Sequence, residues 1–118
     1  MDIRYERQLK RGVLEIVVLK VISQGQTYGY ELISKLERES GGLFKLKEGT
    51  LYPILYRLED DALIKSEWSA PSGRSISKKY YAITAEGKEA LQELIGLWGQ
   101  FSGCVNQILQ KGDITHDA

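Results

Sequence analysis

From Val13 to Ile22 apolar residues point in nearly every direction around a helix: Val13, Leu14, Ile16, Val17, Val18, Leu19, Val21 and Ile22 are broken only by Glu15 and Lys20. A helix apolar all round is covered from several sides. The run therefore predicts a central helix over residues 9–23, stopped by Gly25 and covered in part by something beyond a small domain core. Tyr28, Leu32, Ile33 and Leu36 then recur at helical spacing, which predicts a second helix with Thr27 as its cap, ending near Ser40 before Gly41 and Gly42. Phe44 and Leu46 flank Lys45 with the period of a very short strand. In EGTLYPILYRLEDDALI, residues 48–64, the inward positions are Leu51, Ile54, Leu55 and Leu58, again a helix. Proline is tolerated in the first helical turn, so Pro53 puts the start near Gly49 or Thr50, with Thr50 as cap, and the close falls around Asp61.

Leu63–Trp68 and Lys79–Ile83 read as strands joined across Ala70, Pro71, Ser72 and Gly73, a hairpin with its tip near residues 71–77. Thr84 caps a last helix that runs to about Gln110, and residues 112–118 read as a disordered tail. Three helices followed by a hairpin is the winged helix-turn-helix order. The predicted fold is mainly α with a small β component: a DNA-binding winged domain over residues 1–83 and a dimerisation helix over residues 84–111.

The outer face of the third helix carries Gly49, Tyr52, Pro53, Tyr56 and Asp60, where a helix that only met water would carry Glu, Lys and Gln. In a winged helix this element enters the DNA major groove with its first turns foremost. Phenols at Tyr52 and Tyr56 can donate to phosphate oxygens, Thr50 can bond a phosphate or touch a thymine methyl, and Gly49 lets the backbone approach. The competing reading of Tyr52 is packing against the hairpin. Sixteen basic and sixteen acidic residues cancel, which counts mildly against a nucleic-acid binder. Their distribution is uneven. Arg4, Arg7, Lys10 and Arg11 gather at the N-terminus, Lys45 and Lys47 precede the third helix, and Arg74, Lys78 and Lys79 fall on the hairpin with no acid among them. The candidate DNA contacts are thus Lys45, Lys47, Gly49, Thr50, Tyr52, Pro53 and Tyr56, with Arg74, Lys78 and Lys79 on the hairpin.

In the last helix Leu91, Leu94, Trp98, Phe101, Val105 and Ile108 are spaced 3, 4, 3, 4, 3, an a/d heptad stripe that Ile95 and Leu109 widen. A helix of ~27 residues is roughly 40 Å long, more than the domain it leaves, so the stripe predicts pairing with a second copy. The other reading has the stripe cap the monomer's own core. A homodimer would match a palindromic operator. Gly96, Gly99 and Gly103 surround Trp98 and cost ~1 kcal/mol each inside a helix, which points to close helix approach or to room beside the indole.

Catalysis has no foothold. His116 lies in the tail, the single Cys104 forms no disulfide or zinc spacing and reads as a small buried hydrophobe, and no Gly-rich phosphate loop is present. No enzyme activity, metal or cofactor is expected. The N-terminal residues are charged and Val13–Ile22 is too short to span a bilayer, so the expected location is the cytoplasm, with no membrane partner.

GTLYPILYRLEDDALI, the KKYYAIT run that closes the hairpin, and Thr84-Ala85-Glu86-Gly87 together resemble the PadR family of bacterial transcriptional regulators. LEIVVLKVISQGQTYGYELISKL resembles that family's first two helices, so the likeness spans residues 9–110, and one helix after the winged domain marks the short subfamily. The resemblance implies a dimeric repressor whose operator affinity falls when a small molecule binds. It also implies, from multidrug-responsive members, that a tryptophan at the position of Trp98 stacks on flat aromatic compounds at the dimer interface. A planar aromatic or phenolic effector on Trp98 is therefore expected. Lys47 and the glycines around Trp98 depart from the family pattern. Two alternatives stay open: a winged-helix regulator without a small-molecule ligand, and a protein-interaction module that does not bind DNA.

Overall fold

The computed structural model describes residues 3–70 and 76–112. Its first two helices are α1, Ile3–Arg11, and α2, Leu14–Ser23, where the periodicity suggested one helix from residue 9. The chain breaks at Gly12 and Val13. α1 escaped the pattern because it has no core stripe: Tyr5 and Leu9 are exposed, and a Glu6–Lys10 pair at 3.1 Å on successive turns supports it from outside. α2 is the centre of the domain. Val18, Leu19, Val21 and Ile22 are buried beneath three further helices and the sheet, so the chain itself covers most of this helix. The side bearing Val13, Ile16 and Val17 borders one open groove, and Leu14 and Glu15 border another.

β1, Thr27–Tyr28, precedes α3, Gly29–Glu39. Thr27 does not cap α3. Its backbone pairs with Tyr81, its hydroxyl donates to Glu31 Oε1 at 2.7 Å, and Tyr28 holds the cap position without a side-chain bond. The expected strand at Phe44–Leu46 is loop. The segment pairs with no strand; the two sides of β3 are taken by β1 and β2.

α4 spans Glu48–Asp60 and so begins earlier than Thr50. Lys47 is the cap residue, extended at φ −101°, ψ 162°, with no side-chain bond to the helix, and Thr50 is simply its third residue. Pro53 therefore sits in the second turn, where its nitrogen cannot donate to the Gly49 carbonyl; both residues are exposed, so water can reach that carbonyl. The helix ends with Leu63 N–H donating to the Leu58 carbonyl at 2.9 Å and Ala62 N–H to the Glu59 carbonyl at 2.9 Å. That bond pair calls for a left-handed residue after the cap, here Ala62 at φ 61°.

β2, Ile64–Trp68, and β3, Lys79–Ile83, pair antiparallel in the register Ile64↔Ile83 to Trp68↔Lys79, and the sheet order is β1-β3-β2. Ser69 N–H donates to the Lys78 carbonyl at 2.8 Å and Lys78 N–H to Ser69 Oγ at 2.9 Å, which carries the ladder toward the tip. Pro71, Ser72, Gly73 and the candidate contact Arg74 lie outside the described residues, as do residues 113–118 of the expected tail.

α5, Ala85–Gln110, is capped as expected: Gly87 N–H donates to Thr84 Oγ1 at 2.9 Å, and the same hydroxyl donates to the Ala62 carbonyl at 2.7 Å. Thr84 thereby ties the long helix to the end of α4. Gly87 is buried where the Leu63 carbonyl comes so close that a Cβ would collide with backbone. Beyond Leu91 and the partly buried Leu94 the helix runs clear of the core, and the molecule measures 73 × 32 × 20 Å. The whole is the expected fold: mainly α with a small antiparallel sheet, a winged helix-turn-helix that ends in a long helix.

Candidate nucleic-acid interface

Leu51, Ile54, Leu55 and Leu58 anchor α4 in the core and so set which face it shows to solvent. Thr50, Pro53 and Tyr56 are exposed on that face, Tyr56 at 55%. Tyr52 is not held out in the way its position suggests. It is half-buried against the core, with its ring 6.4 Å from that of Tyr56. The packing reading of Tyr52 is therefore partly correct, though the partner is the start of α3, where its hydroxyl lies close to Gly29. Buried Tyr81 sits under this tyrosine pair. Burial, and then the neighbouring Tyr52, Glu59 and Tyr56, push its pKa up to about 12.

The hairpin is tied to α4 by a Ser66 hydroxyl that donates to Glu59 Oε2. Its two described candidate cations differ. Lys78 is exposed, with its ammonium 4.2 Å from the Tyr28 ring centroid, and that ring meets Tyr80 edge-on at 5.5 Å. Lys79 is half-buried and lies 5.7 Å over the Tyr81 ring. Both ammonium groups are aimed by aromatic faces, an attraction of ~0.5–1 kcal/mol at exposed sites.

Lys45, Lys47, Gly49, Thr50 and Pro53 line one groove of about 640 Å³ at the start of α4. Its opposite wall is α1, which contributes Arg7, Lys10 and Arg11, and Arg57 stands farther along α4. Arg57 is engaged, with Nε and Nη2 at 2.8 and 2.7 Å from Glu15 Oε1, and Lys45 lies 3.8 Å from Glu37. These pairs are exposed and contribute little to stability. The N-terminal cluster of cations was visible in the sequence; its place beside α4 was not, because nothing local reveals which way α1 folds back.

On α5 the stripe passes from core to solvent. Leu91 is buried and Leu94 partly so, which satisfies the core-capping reading for those two residues alone. Ile95, Trp98, Phe101, Val105 and Ile108 are exposed, Trp98 at 47%, Phe101 at 64% and Ile108 at 66%. Trp98 borders an apolar groove of about 710 Å³ with Leu9, Val13, Ile16, Val17 and Phe44. Gly96, Gly99 and Gly103 have open space where a side chain would be, and Cys104 is exposed rather than buried in the single chain. Among the described residues no cluster of ligands could hold a metal, and no helix is long and apolar enough to cross a membrane.

Residues 18–93 match the sequence model of the transcriptional regulator PadR-like family. The chain belongs to that family. It is 32% identical over 87 residues to Transcriptional regulator Rv3488 of Mycobacterium tuberculosis, covering 74% of this chain and 77% of that one. It is 30% identical to the negative transcriptional regulator PadR of Bacillus subtilis, covering 69% and 44%. Among solved structures, a PadR-like transcriptional regulator of Bacillus cereus superposes with TM-score 0.73 at 42% identity, covering 87% of this chain and 97% of that one. Bacillus subtilis PadR in complex with operator DNA gives TM-score 0.63 at 29% identity, covering 70% and 46%.

As a PadR-like protein the chain is a transcriptional regulator and not an enzyme. Within it the sequence-predicted residues fall into three groups. Lys45, Lys47, Gly49, Thr50 and Pro53 share the basic groove; Tyr52, Tyr56, Lys78 and Lys79 surround or overlie the tyrosine cluster; Trp98 stands apart on the apolar groove.

Proposed function

We propose that this PadR-like regulator is a homodimeric repressor that binds a palindromic operator in double-stranded DNA in the cytoplasm. Residues 1–83 form its DNA-binding unit and residues 84–111 its dimerisation helix. A planar aromatic or phenolic molecule beside Trp98 releases it from the operator.

The observation that carries the DNA reading is the outer face of α4. Thr50, Pro53 and Tyr56 are exposed there, with Lys47 at the leading end and the hairpin bound alongside through Glu59 and Ser66. That is the presentation a major-groove helix requires. The solved likeness of Bacillus subtilis PadR, which was crystallised with operator DNA, supports the same use. Dimerisation is supported by the stripe from Ile95 to Ile108, which the described residues leave largely exposed. The effector reading rests on the groove beside Trp98, whose volume of about 710 Å³ falls in the ordinary range of small-molecule sites. A ligand there favours release only if it prefers a spacing of the two α4 helices that does not fit the groove.

Binding to the DNA upstream of the gene tests the central claim. The dimer should prefer one palindromic segment over random duplex. Thr50→Ala or Tyr52→Ala should narrow that preference, while Arg74→Ala/Lys79→Ala should weaken binding to every sequence. Equal affinity of the wild type for upstream and random DNA would refute sequence-specific repression. Titrating flat aromatic cations and phenolic acids while following tryptophan fluorescence tests the effector, with exposed Trp68 in the hairpin as the distant reporter. Quenching should vanish in Trp98→Ala. Undiminished quenching in that variant, or none with any compound, would leave Trp98 as a dimer anchor in a regulator without a ligand.

A further inference from the structure

The groove between α1 and the start of α4 is lined by the cations Arg7, Lys10, Arg11, Lys45, Lys47 and Arg57 against the two acids Glu6 and Glu15. Internal pairs account for part of this charge: Glu6 holds Lys10 at 3.1 Å, Glu15 holds Arg57 at 2.7 Å, and Lys45 lies 3.8 Å from Glu37. Arg7, Arg11 and Lys47 have no ion-pair partner among the described residues, and all three are exposed. Arg7 and Arg11 are one helical turn apart on α1 and so project side by side. Leu9 points the other way, into the apolar groove beside Trp98, so the two faces of α1 do different things. Unpaired cations facing one another across an open groove repel, and an anion between them removes that cost. Arginine is the residue best suited to hold a phosphodiester, through paired N–H donors.

We propose that α1 is a third DNA-contacting element, in which Arg7 and Arg11, together with Lys47, clasp backbone phosphates of the strand that borders the first turns of α4. The proposal rests on the reading of α4 as the recognition helix and extends it to a segment outside the helix-turn-helix and the hairpin. The groove floor is made by Gly49, Thr50 and Pro53, so a strand lying in it is already in contact with the residues that face the bases. The contact adds affinity without sequence preference, because phosphates carry no base identity.

The test compares wild type and Arg7→Ala/Arg11→Ala on the upstream duplex and on a random duplex of equal length, across a salt series. Each lost phosphate contact lowers the slope of log affinity against log salt by ~0.9, so two should flatten it by ~2 and weaken binding by at least about tenfold near 0.1 M salt. Both duplexes should weaken by the same factor. Arg7→Lys/Arg11→Lys should keep the wild-type slope. Circular dichroism and sedimentation, unchanged in both variants, exclude unfolding or loss of assembly as the cause. Wild-type slope and affinity in the double alanine variant would overturn the proposal, while α4 remained the recognition helix. Failure of the wild type to bind either duplex would instead bring down both readings together.

Discussion

The phenol oxygen of Tyr52 stands 2.6 Å from the place that a Cβ on Gly29 would occupy. The lead-in to α3 and the outer face of α4 are thus packed together at one atom, and Tyr52 is partly scaffold. Gly29→Ala should push the phenol aside and lower operator affinity, with the overpacking cost offset in part by the ~1 kcal/mol that alanine gains over glycine in a helix. Tyr52→Phe removes the colliding oxygen and should recover most of the stability in the double variant. Urea unfolding of the four proteins checks this. Additive effects of the two substitutions would show that the atoms do not interfere.

Ala62 adopts φ 61° to close the bond pair at the end of α4, a conformation glycine takes without strain. α3 ends with the same pattern, the Gly42 N–H donating to the Glu37 carbonyl at 2.8 Å, but there the left-handed residue is Gly41. Ala62→Gly should therefore stabilise the protein by about 1 kcal/mol, since left-handed backbone costs an alanine ~1–2 kcal/mol and glycine returns part of that as chain entropy. A lower unfolding midpoint in the glycine variant would contradict this account of the turn.

Phe101 and Val105 lie in the uncovered part of the α5 stripe. Burying large apolar side chains gains ~1.5–3 kcal/mol each, so the proposed pairing through α5 should depend on these two residues. Phe101→Asp/Val105→Asp should give a folded or partly folded monomer by sedimentation equilibrium, with helix content reduced over α5. A wild-type mass of one chain at micromolar concentration would remove the basis for a dimer.

Tyr81 is buried and its pKa is raised to about 12 from an ordinary value of 10.0. The unfolded chain loses this proton more readily than the folded one, so the tyrosine contributes stability that is fully present below pH 10 and is lost as pH rises toward 12. Unfolding free energy should fall across that window more steeply in the wild type than in Tyr81→Phe. Parallel pH profiles for the two would place the alkaline loss on other groups.

Much of this fold was legible because it is written locally. The Thr84 cap needs only a hydroxyl three residues before a free N–H, and the strands Ile64–Trp68 and Lys79–Ile83 need only their own β-forming residues and a turn between them. The α5 stripe is read from a period. Other features depend on a partner distant in the chain. Thr27 looks like a helix cap until β3 offers it a strand edge, and Phe44–Leu46 looks like a strand but finds no strand partner in the fold. α1 was missed because its apolar residues do not make a stripe toward the core.

By itself the sequence determined the winged helix-turn-helix order, the exposure of Thr50, Pro53 and Tyr56 on α4 and the periodic apolar stripe of α5, because periodicity and caps act between residues a few positions apart. Only the tertiary structure decided that Tyr52 rests against Gly29, that Ala62 takes a left-handed turn, and that Arg7 and Arg11 face Lys47 across a groove. Each of these is set by how α1, α3 and α4 pack around α2, and a contact between segments tens of residues apart leaves no period in the chain to be read.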